Sequence, residues 1–434
     1  MLRNPASRTS PARLAVIAVA AVAGLLAAAC SAGGGGTGGP AGSTGSGSST
    51  AGQRGGGGAV RITPAAGSKA ADPSQGITVT AARGRLTSVT AESGGVPVPG
   101  AMNAARTQWH STWTLSVSAS YTVTAHSAVP GGRPVTTAST FTTLTPAKTF
   151  SAEIFEGAGD TYGVGMPIMI KFSEPVVNKA AVERALQLTT SQPVVGSWYW
   201  DGSQEVNFRP RQYWPAHTTV SFTGHLDGVQ AAPGMYGDHT LTQSFGIGAS
   251  LIVVASTQTH HMDLYQDGSL LDQWPISTGK PGDNTPNGTY VTIEKGNPVK
   301  MTGPGYSLEV PWSVRFTFSG DYLHDAYWSV GEQGFTNVSH GCINMPPADA
   351  EAYYKLAVPG DPVTVAGSPR AGVWDNGWTE WFLAWPDYLK GSALHEAVVA
   401  GPDGSSFVSP ASVPAAVGTA PLAGPDPANW SATA

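Results

Sequence analysis

The sequence is poor in cysteine and in charged residues. Its 434 residues include two cysteines, Cys30 and Cys342, which excludes a small scaffold held together by several disulfides. Only 12% of the residues are charged, about half of the usual share. The net charge is −6 and the sequence contains no basic block. We therefore expect no nucleic-acid partner, because such partners normally require a basic patch.

Glycine and proline, by contrast, are abundant, with 55 and 34 residues. The length is sufficient for two to four domains, and a chain of this size can bury a large core without disulfides. A shortage of charge combined with many Gly, Thr and Ser residues is more typical of an extracellular β-protein than of a cytosolic enzyme.

The N-terminus has the composition of an export signal, which we assign to residues 1–30. Three arginines precede an unbroken apolar run over residues 14–29, which ends at Cys30. The segment before Cys30 resembles a bacterial lipobox, although Leu26 lies one place earlier than the usual leucine. We expect Cys30 to be lipidated, so that the chain is exported and anchored to the cell membrane, facing the cell wall. An ordinary cleaved signal or an uncleaved anchor is the alternative. Residues 31–59 are rich in Gly and Ser and predict a disordered linker.

Alternation of apolar and polar residues predicts β-strands through most of the remaining chain. Residues 60–146 and 147–248 each have the length of an immunoglobulin-like sandwich. Residues 249–368 predict a third, mostly β domain with one helix at residues 347–358. The predicted fold class is mainly β, with two tandem immunoglobulin-like β-sandwiches, the third domain and a Trp-rich C-terminal segment.

The C-terminal segment, residues 369–400, carries four tryptophans at spacings of 4, 3 and 4. These spacings place Trp374, Trp378, Trp381 and Trp385 on one face of a predicted helix. Docking onto a neighbouring domain is favoured over stacking on glycan, because four exposed indoles would form a large apolar patch. The composition of residues 401–434 predicts a disordered tail.

Cys342 is a candidate nucleophile. It lies in the motif Ser339-His340-Gly341-Cys342, with His324 upstream. A cysteine nucleophile needs a base within hydrogen-bond reach and backbone N–H groups directed at the oxyanion. Gly341 allows the tight turn that presents such groups. Two nearby histidines, His324 and His340, would favour the thiolate.

Two other roles for Cys342 remain open on spacing alone. A lone cysteine is often a small hydrophobic core residue, although an unpaired thiol in an exported protein is open to oxidation. A zinc site formed by Cys342, His340 and His324 is also conceivable, but no fourth ligand occurs at a standard spacing.

The same residues resemble a known family. His324, fourteen further residues and then Ser339-His340-Gly341-Cys342-Ile343-Asn344 resemble the signature of the YkuD family of L,D-transpeptidases. Residues 277–279 and 285–290 also resemble segments of that family. The order of lipobox, two immunoglobulin-like modules, YkuD-type catalytic domain and Trp-rich segment is similar to that of the mycobacterial-type enzymes.

The resemblance implies that His324 deprotonates Cys342, which attacks the carbonyl between the third residue and D-Ala of a peptidoglycan stem tetrapeptide. D-Ala leaves and a thioester remains. The side-chain amine of a diamino acid on a second stem then forms a crosslink between third residues, whereas water as acceptor gives carboxypeptidase activity. No metal ion or organic cofactor is implied, and carbapenem inhibitors are expected to acylate Cys342.

The resemblance also implies roles for the surrounding residues. Backbone N–H groups of His340, Gly341 and Cys342 would form the oxyanion hole, and the Asp325 carbonyl would orient His324. For His340 itself, positioning of the loop is favoured over a role as second base. Five further residues match family positions that line the donor site or contact substrate: Tyr306, Ser319, Gly320, Ser339 and Asn344.

Two rival functions are weighed against this interpretation. A sortase-like cysteine transpeptidase needs an arginine downstream of the cysteine, and the nearest one, Arg370, lies outside the motif region. A non-catalytic lipoprotein that only binds the cell wall would not need the motif, which is intact here.

Overall fold

The computed structural model describes residues 60–128, 131–303 and 305–413. The predicted signal with Cys30, the linker at residues 31–59 and the last part of the predicted tail lie outside these residues. In the described part of the chain, no helix is long and apolar enough to cross a membrane.

The first domain is a sandwich of two four-stranded sheets. Its strands are β1 (Val60–Thr63), β2 (Thr78–Ala81), β3 (Arg85–Ser93), β4 (Val96–Pro97), β5 (Gly100–Met102), β6 (Gln108–Ser111), β7 (Ser120–Ala128) and β8 (Val135–Thr142). The sheet orders are β1-β2-β6-β5 and β4-β3-β7-β8. Alternation places Tyr121, Val123 and Ala125 of β7 in the core between the sheets.

The second domain is a larger sandwich with one short helix. Its elements are β9 (Lys148–Phe150), β10 (Ala152–Ile154), β11 (Thr161–Tyr162), β12 (Ile168–Phe172), α1 (Lys179–Arg184), β13 (Leu186–Thr190), β14 (Val194–Asp201), β15 (Glu205–Pro210), β16 (Thr219–Gly224), β17 (Gln230–Ala232), β18 (Met235–Gly237) and β19 (Leu241–Ile247). One sheet contains β10-β12-β15-β14 and a second has the order β11-β19-β16-β13. Trp198, which is fully buried, fills the space between the sheets.

The third domain contains the candidate chemistry. Its elements are β20 (Leu251–Ser256), β21 (His261–Gln266), β22 (Ser269–Pro275), β23 (Gly288–Val291), β24 (Glu294–Gly296), β25 (Val299–Gly303), β26 (Tyr306–Val310), β27 (Ser313–Arg315), β28 (Tyr322–Asp325), β29 (Ile343–Met345), α2 (Pro347–Leu356) and β30 (Pro362–Ala366). The sheets have the orders β22-β21-β20-β30-β23 and β24-β27-β28-β29, and β25 and β26 form a separate hairpin. The predicted helix is confirmed as α2. Its first residue is Pro347, a residue type that the first turn of a helix tolerates, and it buries Ala350 and Tyr353.

The Trp-rich segment docks as expected but does not form the predicted helix. It contains a 3-10 turn at Glu380–Phe382 and a single helical turn, α3 (Trp385–Tyr388). Trp378 and Trp381 are buried in a core shared with the second domain and with Ile252 of the third. The indole N–H of Trp381 donates to the Gly165 carbonyl at 2.7 Å. The segment therefore buries its indoles between domains in an irregular conformation instead of forming a regular helix.

The prediction of a disordered tail from residue 401 is wrong for residues 404–408. The strands β31 (Ala397–Gly401) and β32 (Gly404–Val408) form a hairpin. β31 pairs with β14, so the hairpin extends a sheet of the second domain to six strands. Composition could not predict this hairpin, because the backbone hydrogen bonds of β31 are made with β14, a strand about two hundred residues earlier.

We predict that protonation of Glu156 stabilises the fold. Glu156 is fully buried in the second domain, and burial raises its pKa from 4.5 to about 8. The folded state therefore binds this proton more tightly than the unfolded state. Stability should decline as pH rises from 4.5 to about 8, by at most about 1.4 kcal/mol per pH unit. Thermal unfolding midpoints measured across this range should decline less in Glu156→Gln.

The matched control for this experiment is Glu153→Gln, because Glu153 is an exposed carboxyl on β10. Its unfolding midpoint should follow that of the wild type at every pH. A pH dependence that is the same in Glu156→Gln and in the wild type would refute the role of Glu156.

Candidate active site

The predicted base and nucleophile lie on neighbouring strands. β28 and β29 pair in parallel, with Leu323 opposite Ile343 and His324 opposite Asn344. Cys342 immediately precedes β29. The pairing therefore brings together two residues that are eighteen positions apart in the sequence.

His324 is buried, and its neutral form is held in one tautomer. Its Nδ1 lies 2.8 Å from the Asp325 carbonyl oxygen, which can only accept, so Nδ1–H donates and Nε2 keeps its lone pair. Burial lowers the pKa of His324 to about 4, only partly offset by this hydrogen bond. The Asp325 contact is the one that the family resemblance implies, and it leaves Nε2 as a base at neutral pH.

The indole of Trp328 packs against His324, with ring centroids 5.9 Å apart and an interplanar angle of 29°. Trp328 was not among the predicted site residues. Its position four residues after His324, next to the aromatic Tyr327, is the only signal of it in the sequence.

The Cys342 thiol is part-buried and protonated at rest. Among the described residues its hydrogen-bond acceptor is the Gly320 carbonyl, 3.8 Å from Sγ, rather than His324. Burial, with a smaller contribution from the Asp321 carboxylate, raises the pKa of the thiol to about 12, and a hydrogen bond from the Tyr322 backbone N–H only partly offsets this rise. The expectation that nearby histidines favour the thiolate is therefore wrong, because burial of the thiol dominates its pKa and no histidine offsets this effect.

Asp321 is a residue that the sequence analysis missed. Its Oδ2 accepts hydrogen bonds from Thr317 Oγ1 at 2.8 Å and Ser319 Oγ at 3.1 Å. Gly341 has φ of +128°, and a Cβ at this position would collide with Asp321 Oδ1. Gly341 therefore permits both the turn and the close approach of the carboxylate. The only signal in the sequence was an acidic residue three positions before His324.

His340 forms a wall of the site together with Tyr306. The Lys280 ammonium donates to His340 Nε2 at 2.7 Å, and the Tyr306 ring stacks on the imidazole with centroids 5.1 Å apart. Tyr306 lies at the start of β26, in the β25–β26 hairpin. Because Lys280 occupies the Nε2 lone pair, the geometry favours a positioning role for His340.

Ser339 and Asn344 hold the cysteine loop rather than facing solvent. Ser339 Oγ donates to the Cys342 carbonyl at 2.6 Å and accepts from the Gly341 N–H at 3.2 Å. Of the three N–H groups predicted to form the oxyanion hole, that of Gly341 therefore already has a partner in the resting site. Asn344 is buried and its amide donates to Ser329 Oγ at 3.0 Å, so the predicted substrate contact is replaced by a structural one.

The segment at residues 277–285 also supports this loop. The Ser339 N–H donates to the Thr278 carbonyl at 3.0 Å, and the Lys280 N–H donates to the Ser339 carbonyl at 3.0 Å. Thr285 Oγ1 donates to the Gly341 carbonyl at 2.7 Å. These contacts explain why the Ser-Thr-Gly and Thr-Pro segments accompany the cysteine motif in the sequence.

Ser319 and Gly320 are placed by the C-terminal segment. The Ser319 N–H donates to Asn376 Oδ1 at 2.8 Å, and Asn376 Nδ2 donates to Ser319 Oγ at 3.0 Å. Ser319 is exposed, and the next residue, Gly320, supplies the carbonyl that accepts from the thiol. The docking segment thus contacts the site through one asparagine.

The zinc alternative for Cys342, His324 and His340 finds no support. Within the described ranges, no group of three His, Cys, Asp or Glu side chains is arranged to hold a metal ion.

Comparison with known proteins identifies the third domain. The model of the L,D-transpeptidase catalytic domain, YkuD, matches residues 250–365, and a bacterial Ig domain model matches residues 68–230. L,D-transpeptidase 2 of Mycobacterium tuberculosis is 33% identical over 332 residues, which cover 73% of this chain and 80% of the relative. L,D-transpeptidase 5 of the same species is 37% identical over 313 residues, covering 70% and 69%.

The chain belongs to the L,D-transpeptidase family, and the predicted family and mainly β fold are confirmed. Among solved structures, an L,D-transpeptidase in complex with imipenem is 36% identical, with coverage of 49% of this chain and 97% of that chain and a TM-score of 0.43. An L,D-transpeptidase from Mycobacterium smegmatis is 33% identical, with coverage of 50% and 99% and a TM-score of 0.42.

We predict that Asp321→Asn makes the thiol more reactive. Removing the negative charge lowers the pKa of Cys342, because the Asp321 carboxylate disfavours the thiolate. Iodoacetamide alkylation at pH 8 to 9, followed by intact mass, should accelerate about three- to fourfold per unit of pKa decrease, allowing for the weaker nucleophilicity of a more acidic thiol.

Asp283→Asn is the matched control, since this part-exposed carboxylate pairs with Lys280 and is not among the groups that shift the pKa of Cys342. Equal alkylation rates in folded Asp321→Asn and in the wild type would count against the electrostatic role of Asp321.

Proposed function

We propose that this chain is a peptidoglycan L,D-transpeptidase that uses Cys342 to form a thioester acyl-enzyme, releases D-Ala and crosslinks third residues of stem peptides. The observation that carries the proposal is the buried, neutral His324, with Nδ1 fixed by the Asp325 carbonyl and its strand paired beside the strand that follows Cys342. Membership of the L,D-transpeptidase family supports the reaction class.

The resting thiol and imidazole are both neutral, with pKa values of about 12 and about 4. Proton transfer from Sγ to His324 Nε2 therefore accompanies attack of sulfur on the donor carbonyl, rather than preceding it. The backbone N–H groups of His340 and Cys342 remain as candidates for stabilising the oxyanion. The imidazolium then protonates the departing amine, so D-Ala leaves and the thioester remains.

The second half-reaction uses the same groups in reverse. The side-chain amine of a diamino acid on the acceptor stem attacks the thioester carbonyl and gives a proton to His324. Collapse of the tetrahedral intermediate returns that proton to sulfur and regenerates the Cys342 thiol. Water in place of the amine gives carboxypeptidase activity.

The remaining finer proposals follow from the same thiol and from the N-terminal sequence. A carbapenem presents a strained, activated acyl group, so we propose that it acylates Cys342 in the same way. We also propose that the chain is exported and anchored to the membrane by lipid on Cys30, facing the cell wall. The first residues lie outside the described part of the chain.

A sortase-like mechanism is disfavoured because the described residues place no arginine from downstream of Cys342 in the site. Arg370, the nearest arginine after the cysteine, donates through Nη1 to the Asn284 carbonyl at 3.1 Å and is not part of the Cys342 surroundings. A purely wall-binding role leaves the oriented His324 unexplained.

We expect Cys342→Ala to abolish both D-Ala release and dimer formation from tetrapeptide-stem muropeptides, because no other cysteine thiol is available in the described residues. Product mass spectrometry measures the reaction, and intact mass detects the carbapenem adduct. His340→Gln serves as a control that keeps the thiol and should keep the adduct. An adduct on the Ala variant would disprove the assignment of the nucleophile.

We expect the acylation rate to be insensitive to pH between about 5.5 and 8 and to fall only as pH approaches 4, where His324 becomes protonated. Carbapenem adduct formation by stopped-flow or quenched mass spectrometry measures this profile. His340→Gln should keep the position of the acid limb. A rate that already falls below pH 7 would show that His324 is not the neutral base described here.

A further inference from the structure

A cleft of about 470 Å³ opens between the first and second domains. All of its described lining residues belong to these two domains, so it is separate from Cys342. Ligand sites of proteins often lie at domain boundaries and have volumes in this range. The side chains that matter for recognition are Gln75, His110, Trp113, Asn178, Arg184 and Gln230.

The cleft contains an aromatic ring held in a fixed orientation. The indole of Trp113 stacks on His225 with centroids 3.6 Å apart and an interplanar angle of 12°. Burial lowers the pKa of His225 to about 4, so the imidazole is neutral, and Nε2–H donates to Gln187 Oε1 at 2.9 Å. The indole is part-exposed and offers a flat apolar surface to a ligand.

The walls of the cleft are fixed to each other by hydrogen bonds. Thr114 Oγ1 donates to the Asp227 carbonyl at 2.6 Å, and Ser116 Oγ donates to Asp227 Oδ2 at 2.6 Å. The cleft is therefore preformed, which reduces the entropic cost of binding.

The charge of the lining selects among ligand classes. Among the described residues that line the cleft, Arg184 is the only permanently charged side chain, and none is Asp or Glu. Arg184 is exposed, and the described residues offer its guanidinium no hydrogen bond or ion pair. Planar amides and a free guanidinium beside an indole suit a ligand with apolar C–H faces and an edge of hydroxyl and carbonyl oxygens.

We propose that this cleft binds the glycan strand of peptidoglycan, through its N-acetylated amino sugars. The indole would contact one sugar face, while Arg184 and the amides would bind hydroxyl and acetamido oxygens. The identity of the polymer rests on the proposed function, whereas the chemistry of recognition rests on the cleft. A second attachment to the wall polymer would keep stem peptides near Cys342 by raising their effective concentration.

The probe is chitotetraose, a β-1,4-linked tetramer of N-acetylglucosamine, titrated into the full-length protein and followed by calorimetry. We expect saturable binding and a loss of affinity of about tenfold in Arg184→Ala, the value of one good polar contact. Arg184 is exposed and its guanidinium makes no hydrogen bond or ion pair with the described residues, so we expect the variant to fold. Arg133→Ala, which removes an exposed arginine of the first domain outside the cleft, should bind like the wild type.

Trp113→Ala provides a second variant, with its thermal unfolding midpoint checked, and should bind at least as weakly as Arg184→Ala. Cys342→Ala should bind chitotetraose normally, so the glycan site can be tested even if the proposed acyl transfer fails. The proposal is overturned if no saturation occurs at millimolar sugar, if neither cleft variant weakens binding, or if the stem tetrapeptide alone competes with the sugar.

Discussion

The parallel pairing of β28 with β29 is the contact on which the site depends. It brings the strand of His324 beside the residue that follows Cys342, and no local preference of either segment could do this. The loop between them is then fixed from outside, since Thr278 and Thr285 bind the backbone of residues 339–341. The positions of the base and the thiol are therefore set by backbone hydrogen bonds on rigid strands rather than by the two side chains themselves.

Burial controls the protonation of this site more than charge does. It lowers the pKa of His324 and raises that of Cys342, so both groups are neutral at rest. Asp321 adds to this effect by opposing a negative charge on sulfur. A neutral thiol is less open to oxidation than a thiolate. The reactivity of the thiol then depends on a bound substrate, whose carbonyl carbon the sulfur attacks while the thiol loses its proton.

Much of the fold and part of the site could be predicted from the sequence, because the signals were local. Alternation within single strands and the compact motif ending in Asn344 need no knowledge of distant residues. Asp321 was missed because its effect depends on its approach to Gly341, twenty positions away. The spacing of the tryptophans suggested a helix, but their burial between domains determined the conformation. The strand pairing of β31 with β14 likewise could not be derived from composition.

The contact between Asn376 and Ser319 makes the catalytic loop dependent on a part of the chain that is synthesised after it. The same segment continues into β31, which must reach back to the second domain to find its partner strand. A chain whose C-terminal segment has not yet been synthesised would have a formed third domain but an unsupported loop at Gly320. The site would thus be complete only once this last segment has folded back and β31 has paired with β14.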